Sequence, residues 1–496
     1  MKGLQIFSGK RQSATVMSSK TEMNLTEGNI QKKMFIFAIP ILISGWLQLS
    51  FNLADYIMCG QLIGNSAVAS IGDTGSLISL MVDLAIGLGI GVNVSMGKAY
   101  GALDKEEGSR ILGSGFLLAL IVGLLLAVVG ISSSRYLLQA MNTHANLIDN
   151  SDAYMKIYFA GFPFLLIYNF LSSGMRGMGD TQKPFIYLSV GGVLNVFLNW
   201  LFVSPLQMGV SGLAWATSIS EAFSALLVII DLARNRSGFA SLSWSKLRLY
   251  PKSTKEILRI GIPAGIQGAM YDIANVIITF QINAFSDSVI AGDSAAAHVS
   301  SFIYVASDSF VEAGVAFVSA NYGAKKVDNI RKSIRWSYFF AAMASLIMGW
   351  LVVIFRQPLL SMIINSNTVE EGIDPAQALA TGELNIWICC STHVFMALVD
   401  VIGQDNRGLG YSIMPTLVSL IGICVLRLVY IFGIYLQVPG LNQNIGYLYM
   451  VYPISWCITA ICHFVSYLIV RKKAYRACLQ QDQTTSGKTA EAEIQQ

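Results

Sequence analysis

Residues 35–60 read FIFAIPILISGWLQLSFNLADYIMCG. A helix of this length crosses a bilayer, which takes about 20 residues. Yet the run carries a carboxylate, Asp55. Ser44, Gln48, Asn52 and Asp55 are spaced four, four and three apart, which puts them on one face of a helix. An acidic side chain near the bilayer centre costs roughly 2.5–3.5 kcal/mol on insertion scales, so it is kept only where it faces protein or water. Two readings stand: a buried polar contact between helices, or part of an ion or substrate path.

The rest of the chain agrees with a membrane reading. Of 496 residues, 54% are hydrophobic and 12% charged, where soluble domains average about 25% charged. The ten-residue alternation of an outer-membrane barrel strand is absent. Apolar runs predict an all-α polytopic membrane protein with twelve transmembrane helices, at about 34–60, 70–97, 111–132, 154–174, 184–203, 209–231, 257–286, 295–320, 334–355, 382–403, 411–437 and 445–470. Residues 1–33 are polar and basic and hold no signal-peptide core, so the first run is expected to be retained. The seven cysteines lie mostly in apolar runs without a CxxC and read as packing residues. A net charge of +4 carries no sign of a nucleic-acid partner.

The placement of charge sets the orientation. With both termini cytoplasmic, 29 Lys and Arg fall on the inside and only Arg135 and Arg356 on the outside; Lys156 and Arg427 fall within spans. The outer loops carry acids, among them Asp287, Asp293, Glu370, Glu371 and Asp374.

The chain is also duplicated. Pro40 and Asn52 of the first span match Pro263 and Asn275 of the seventh. Tyr100-Gly-Ala102 matches Tyr322-Gly-Ala324, and Arg176-Gly-Met-Gly179 matches Arg407-Gly-Leu-Gly410. Six spans per copy is an even number, so the two lobes should be related by a pseudo-two-fold along the membrane normal. The predicted organisation is a cytoplasmic tail (1–33), an N-lobe with spans 1–6 (34–236), a basic linker on the membrane surface (237–256), a C-lobe with spans 7–12 (257–474) and a disordered, polar cytoplasmic tail (475–496).

Two six-span halves, a proline-bearing first span ending FNLADYIMCG, and RGMGD ahead of a proline-led span together resemble the multidrug and toxic compound extrusion family of the MOP flippase superfamily. GLGIGVNVSMGKAYGA (87–102) and GVSGLAWATSISE (209–221) fit that family too. The resemblance implies a V-shaped pair of lobes around a central cavity. It also implies antiport, in which a small organic, often cationic, compound leaves as H+ or Na+ enters. The family's N-lobe ion site would be Asp55 with an Asn and, four residues later, an Asp on the fifth span. Those positions hold Asn195 and Asn199 here, so one carboxylate is missing. The C-lobe acid of sodium-coupled members falls at Tyr271, beside Asp272; Asp400 is near another family acid but out of register. The repeat of Asp55 is Ile278, so the lobes are chemically unequal.

Other polar residues divide between function and packing. Asp83 either joins Asp55 around a shared cavity or caps a packing contact. His298, Ser301, Tyr304, Asp308 and Glu312 form one helical stripe. Two acids one turn apart resist double ionisation, which suits coupling to a cation; the structural alternative is a network neutralised by Arg427. His393 and Glu221 read as hydrogen-bonded or packing groups. The glycines of GLGIGVNVSMG do not make a phosphate loop, because no strand precedes them and no Lys-Ser/Thr follows. Trp46, Phe51 and Tyr271 are candidates to line a cavity for flat cations.

The expected N-lobe set is therefore Asp55, Asn195, Asn199, Gln48, Asn52 and Asp83, and the C-lobe set Asp272, Asp308, Glu312, Asp400 and Tyr271. No catalytic set, metal cluster or nucleotide motif appears, so the chain is expected to be no enzyme, to need no cofactor, and to draw on an ion gradient. The expectation is a monomer in the bacterial inner membrane, in contact with lipid, exporting small organic cations by alternating access. A lipid-linked precursor flippase is the first alternative, a channel or sensor the second.

Overall fold

A computed structural model describes residues 21–494 except 142, 144–146, 236–237, 245–246 and 365–373. The first twenty residues of the expected tail, and Glu370 and Glu371, lie outside the described residues.

The first half of the chain forms α1 (Ile30–Leu62), α2 (Asn65–Gly101), α3 (Lys105–Ala140), α4 (Ile148–Gly177), α5 (Gln182–Val203) and α6 (Gly209–Arg234). The second half begins with α7 (Pro251–Ile282), α8 (Asp287–Gly323), α9 (Val327–Ile354) and a short α10 (Arg356–Ser361). Then come α11 (Pro375–Asn385) and α12 (Ser391–Gly408), which make one segment through a π-helical turn at Ile386–Cys390. A second such segment joins α13 (Ile413–Ser419) and α14 (Leu426–Tyr430), with π turns at Leu420–Val425 and Ile431–Tyr435. The chain closes with α15 (Ile445–Tyr449) and α16 (Val451–Ile494). The polar end expected to be disordered thus continues a helix; its Ala, Gln, Lys and Glu are good helix formers.

Local chemistry sets the helix ends. Asn29 and Asp104 cap α1 and α3 by accepting from the backbone N–H of Lys32 and Glu107. The duplicated RGMG and RGLG motifs end α4 and α12 in one way, with Gly179 (φ 96°) and Gly410 (φ 91°) in the left-handed region that favours glycine. The YGA repeats are followed by matching turns at Leu103 and Lys325, both with φ 58°. The duplication in sequence is therefore a duplication in backbone.

Among the described residues, eleven segments are long and apolar enough to cross a membrane. The seventh of the twelve expected spans, α7, has 32 residues but falls outside that set. Its first turns hold Lys252, Lys255, Glu256 and Arg259, and its middle holds Gln267, Asp272 and Asn275.

The two halves meet along small residues. A side chain at Gly87 would strike the backbone of Ala264 and Gly265, and one at Gly91 the carbonyl of Ile257. A side chain at Gly101 would strike Ala320. The glycines of residues 87–101 thus let α2 lie backbone to backbone on α7 and α8. Among the described residues, the hydrogen bonds, ion pairs, ring contacts and close glycine approaches between halves run from mid-helix to the face holding Gly101 and Gly323. Toward the opposite face none joins them, so the halves diverge.

Residues 21–28 tie the closed face together. Thr21 Oγ1 donates to Asp180 Oδ2 at 2.6 Å, and the Met23 N–H to the Gly179 carbonyl at 2.9 Å. On the other half, Asn321 Nδ2 donates to the Leu25 carbonyl at 3.0 Å and Asn329 Nδ2 to the Thr26 carbonyl at 2.8 Å. Leu25 is fully buried between them. The linker also docks on protein: Phe239 and Leu242 are buried, and Ser114 Oγ accepts from the Tyr250 N–H at 3.1 Å.

Candidate functional site

The polar residues collect in two separate places, one small pocket inside the first half and one larger cavity between the halves.

The pocket, of about 70 Å³, is walled by α1, α5 and α6. Gln48, Asn52 and Asp55 reach it from α1, Asn195 from α5, and Thr217 and Glu221 from α6. Asn195 and Asn199 on α5, and Thr217 and Glu221 on α6, are each four apart, so each pair shares one face of its helix. Asn199 is fully buried and donates from Nδ2 to Asp55 Oδ1 and, at 3.1 Å, to Asn195 Oδ1. Asn195 Nδ2 in turn donates to Thr217 Oγ1 at 3.4 Å. The amide of Asn199 thus holds Asp55 without supplying a second charge, while its own Oδ1 has no hydrogen-bond partner. Among the described residues, no Lys or Arg lines this pocket.

The cavity, of about 430 Å³, lies between α2, α4 and the second half. It brings together all five expected C-lobe residues: Tyr271 and Asp272 on α7, Asp308 and Glu312 on α8, and Asp400 on α12. Of the predicted α8 stripe, Tyr304 also lines it, while His298 and Ser301 do not. Three guanidiniums face the same space, from Arg176, Arg407 and Arg427. Arg407 Nη2 donates to Gln267 Oε1 at 2.6 Å and Thr416 Oγ1 at 3.2 Å, and Gln267 Nε2 donates to the Tyr271 hydroxyl at 3.2 Å. His393 Nδ1 lies 2.9 Å from Ser345 Oγ, so it is both hydrogen-bonded and part of the cavity wall.

Four expectations change. Asp83 does not join Asp55: it lines the large cavity, interacting side chain to side chain with Asp272. The reason is the packing of α2 on α7, where Gly268 brings its backbone against Asp83. Arg427 does not neutralise Asp308 and Glu312. Glu312 pairs instead with Arg176 at 3.3 Å, and Arg427 bonds Asn275 and Ser455. Glu221, read as packing, lies in the Asp55 pocket. Its four-residue spacing from Thr217 was the available signal. Phe51 and Tyr271 line cavities as expected, whereas Trp46 Nε1 donates across the halves to the Phe302 carbonyl at 3.4 Å.

An all-helical membrane chain with two matching halves, a cleft closed at one face and buried polar cavities is built as a transporter. The MatE family profile matches residues 40–201 and 263–432, one stretch in each half, and the chain belongs to this family of transporters, which are not enzymes. The probable multidrug resistance protein YoeA of Bacillus subtilis (strain 168) is 25% identical over 456 residues, covering 90% of this chain and 95% of that protein. An FAD transporter of Shewanella oneidensis is 24% identical over 368 residues, covering 71% of this chain and 78% of that protein. A solved structure described as the outward-facing conformation of a multidrug resistance MATE family transporter of the MOP superfamily superposes with a TM-score of 0.83 at 19% identity, covering 92% of this chain and 99% of the other.

Proposed function

We propose that this protein exports small organic compounds, chiefly cations, across the bacterial inner membrane in antiport with H+ or Na+. In this reading α7 is the twelfth crossing, both termini are cytoplasmic, and the protein works as a monomer. The observation that carries it is the Asp55 pocket. A carboxylate held by the Asn199 amide, in a pocket whose described lining holds no lysine or arginine, is neutralised only by a proton or a cation that arrives there. Glu221 supplies, from α6, the second acid that Asn199 does not provide.

The mechanism is alternating access. Compounds enter the large cavity, where five carboxyls outnumber three guanidiniums and Tyr271, Tyr304, Tyr452 and Trp456 offer aromatic faces. The halves rock so that the glycine seam of α2 on α7 and α8 closes and parts, and the cavity opens at one face and then the other. Ion binding at Asp55 acts only through its different affinity in the two states. That preference of carboxyls over guanidiniums weighs against a flippase for anionic lipid-linked precursors.

The test is efflux of a fluorescent organic cation from proteoliposomes under a proton or a sodium gradient, imposed separately. Wild-type efflux under one gradient, lost in Asp55→Asn, is the expected result. Undiminished efflux in Asp55→Asn removes the coupling role; no wild-type efflux under either gradient removes the export reading for that cargo.

A further inference from the structure

We propose that Asp405 is a proton-binding site enclosed within the second half, apart from both the Asp55 pocket and the large cavity.

α12 packs on α8, α9 and α16, and Asp405 points into that bundle. It is fully buried and belongs to the lining of neither cavity. Its Oδ2 accepts from Ser337 Oγ on α9 at 2.7 Å. Its Oδ1 has no hydrogen-bond partner among the described residues. Gly314 of α8 closes the third side, where a side chain would come within 3.0 Å of Oδ1.

Packing does not call for an acid here, because the first half fills the same place without one. The register that aligns Tyr100 with Tyr322 sets Val92 opposite Gly314 and Gly115 opposite Ser337. The register that aligns Arg176 with Arg407 sets Gly174 opposite Asp405. In the first half a side chain at Gly115 or at Gly174 would meet Val92 at 3.5 Å, so one valine occupies the space between two glycines. In the second half the valine has become Gly314, and the two glycines have become Ser337 and Asp405. Volume is kept while an apolar contact is exchanged for a hydroxyl and a carboxyl.

No counter-ion reaches this carboxyl among the described residues. The titratable groups that face it are phenols, Tyr338 of α9 and Tyr467 of α16, with Tyr475 of α16 beside them. The hydroxyls of Tyr338 and Tyr475 also have no hydrogen-bond partner among the described residues. Cationic charge lies beyond the phenols: Arg331 and Arg471 sit over the rings of Tyr475 and Tyr467, at 5.3 and 5.7 Å, and Lys332 and Arg335 are exposed. On α8, Asp308 and Glu312 face the large cavity, as do Asp400 and Arg407 on α12 itself. His463 of α16 is turned to Ser419, with Nε2 2.8 Å from Oγ.

An ionised carboxylate left in such a place costs far more than a neutral acid, and a group so placed takes up a proton instead. The asymmetry of its two oxygens fits that form. Oδ2, the carbonyl oxygen, accepts from Ser337, and Oδ1, which no group donates to, carries the hydrogen. Uptake transfers one proton from water to Oδ1, forming the O–H bond and cancelling the charge; release to water restores the carboxylate.

Infrared difference spectra of the purified full-length protein read this directly. At neutral pH, wild type minus Asp405→Asn should show the carbonyl band of one un-ionised carboxyl, and that band should shift when water is replaced by D2O. Ser337→Ala keeps the acid but removes the donor to Oδ2, so it should move the band to higher frequency without abolishing it. That variant carries the test if Asp405→Asn does not fold. An absent band in a folded Asp405→Asn comparison, or an unchanged spectrum in Ser337→Ala, overturns the proposal. A band that never shifts in D2O overturns it too, since the proton would then be sealed in the fold. Loss of the band on adding sodium chloride at constant pH would overturn it in favour of a metal cation.

Discussion

Arg176 Nε lies 3.3 Å from Glu312 Oε2, an ion pair that joins α4 of the first half to α8 of the second at the cavity wall. The two atoms are close enough to attract but make no hydrogen bond with each other or with any other group among the described residues. Both side chains are partly exposed, at 20% and 27%. Partly screened pairs are worth about 0–1 kcal/mol, so the contact biases the closed face without locking it. Arg176→Gln, Glu312→Gln and the double substitution should each shift the balance of open and closed states by less than about tenfold. Spin-label distances across the ends of α2 and α8 report that balance. The double variant should match either single one; strict additivity would show that the pair is not coupled.

Asp55 and Glu221 share the small pocket but not the same support. Asp55 is held by Asn199, whereas Glu221 has no protein hydrogen bond recorded among the described residues. Asp55→Asn should therefore abolish gradient-driven efflux, and Glu221→Gln should lower it by about tenfold while the fold persists, in line with loss of one positioned ionisable group. Asn199→Asp should restore part of the rate to Glu221→Gln by returning a second carboxylate to the pocket. Efflux assays on the four proteins decide this, and wild-type rates in Glu221→Gln would return that residue to a packing role.

The Asp55 stripe was legible because helical spacing alone places Gln48, Asn52 and Asp55 on one face, and the partners on α5 follow the same rule. The five C-lobe residues came together for the same reason: each lies on the inner face of its own helix. What spacing does not encode is which helix that face meets. Asp83 went to Asp272 because the glycines of α2 choose α7 as a neighbour, a choice made by backbone approach across the halves. Arg427 was assigned to the wrong acids because the π-helical turns around it break the 3.6-residue period that sequence reading assumes. The duplicated RGMG and RGLG motifs were visible as repeats, but their arginines gave no sign that both would reach the cavity.

Outside the membrane, Asp180 gives a pH signature. It is buried beside residues 21–28, and desolvation is the largest cause of a carboxyl pKa above the ordinary value, outweighing the bonds from Thr21 and Lys183. With the folded pKa raised, the native state holds a proton that the unfolded chain gives up near pH 4. Stability therefore falls as pH rises from about 4 to the raised pKa, and stays lower above it. Asp180→Asn keeps both bonds, since Oδ1 still accepts from the Lys183 N–H and Nδ2 can donate to a rotated Thr21 hydroxyl. Thermal melts of the two proteins should converge at low pH, with the variant more stable at neutral pH. A wild type that gains on the variant as pH rises would show that the attraction of Lys183, 4.0 Å away, dominates.

The glycine seam sets the closed state. A side chain at Gly91 would meet the Ile257 carbonyl and the Gly261 nitrogen, at 3.0 Å for the latter; one at Gly265 would meet the Leu84 carbonyl at 2.7 Å. These are backbone atoms, which cannot turn aside as a flexible side chain can. Overpacking of this kind costs about 1–3 kcal/mol, and the cost falls only on the state in which α2 lies on α7. Gly91→Val should therefore open the face that holds Gly101 and Gly323, by a factor of about five to a hundred in population, and slow efflux with it. At Gly89 the nearest groups are Ser173 Oγ at 3.2 Å and the Asn169 carbonyl at 3.8 Å, both on α4 of the same half. Gly89→Ala should then leave the balance of states much closer to wild type. Spin labels on the ends of α2 and α8 distinguish the two variants, and equal opening in both would show that the seam is not where the halves are held.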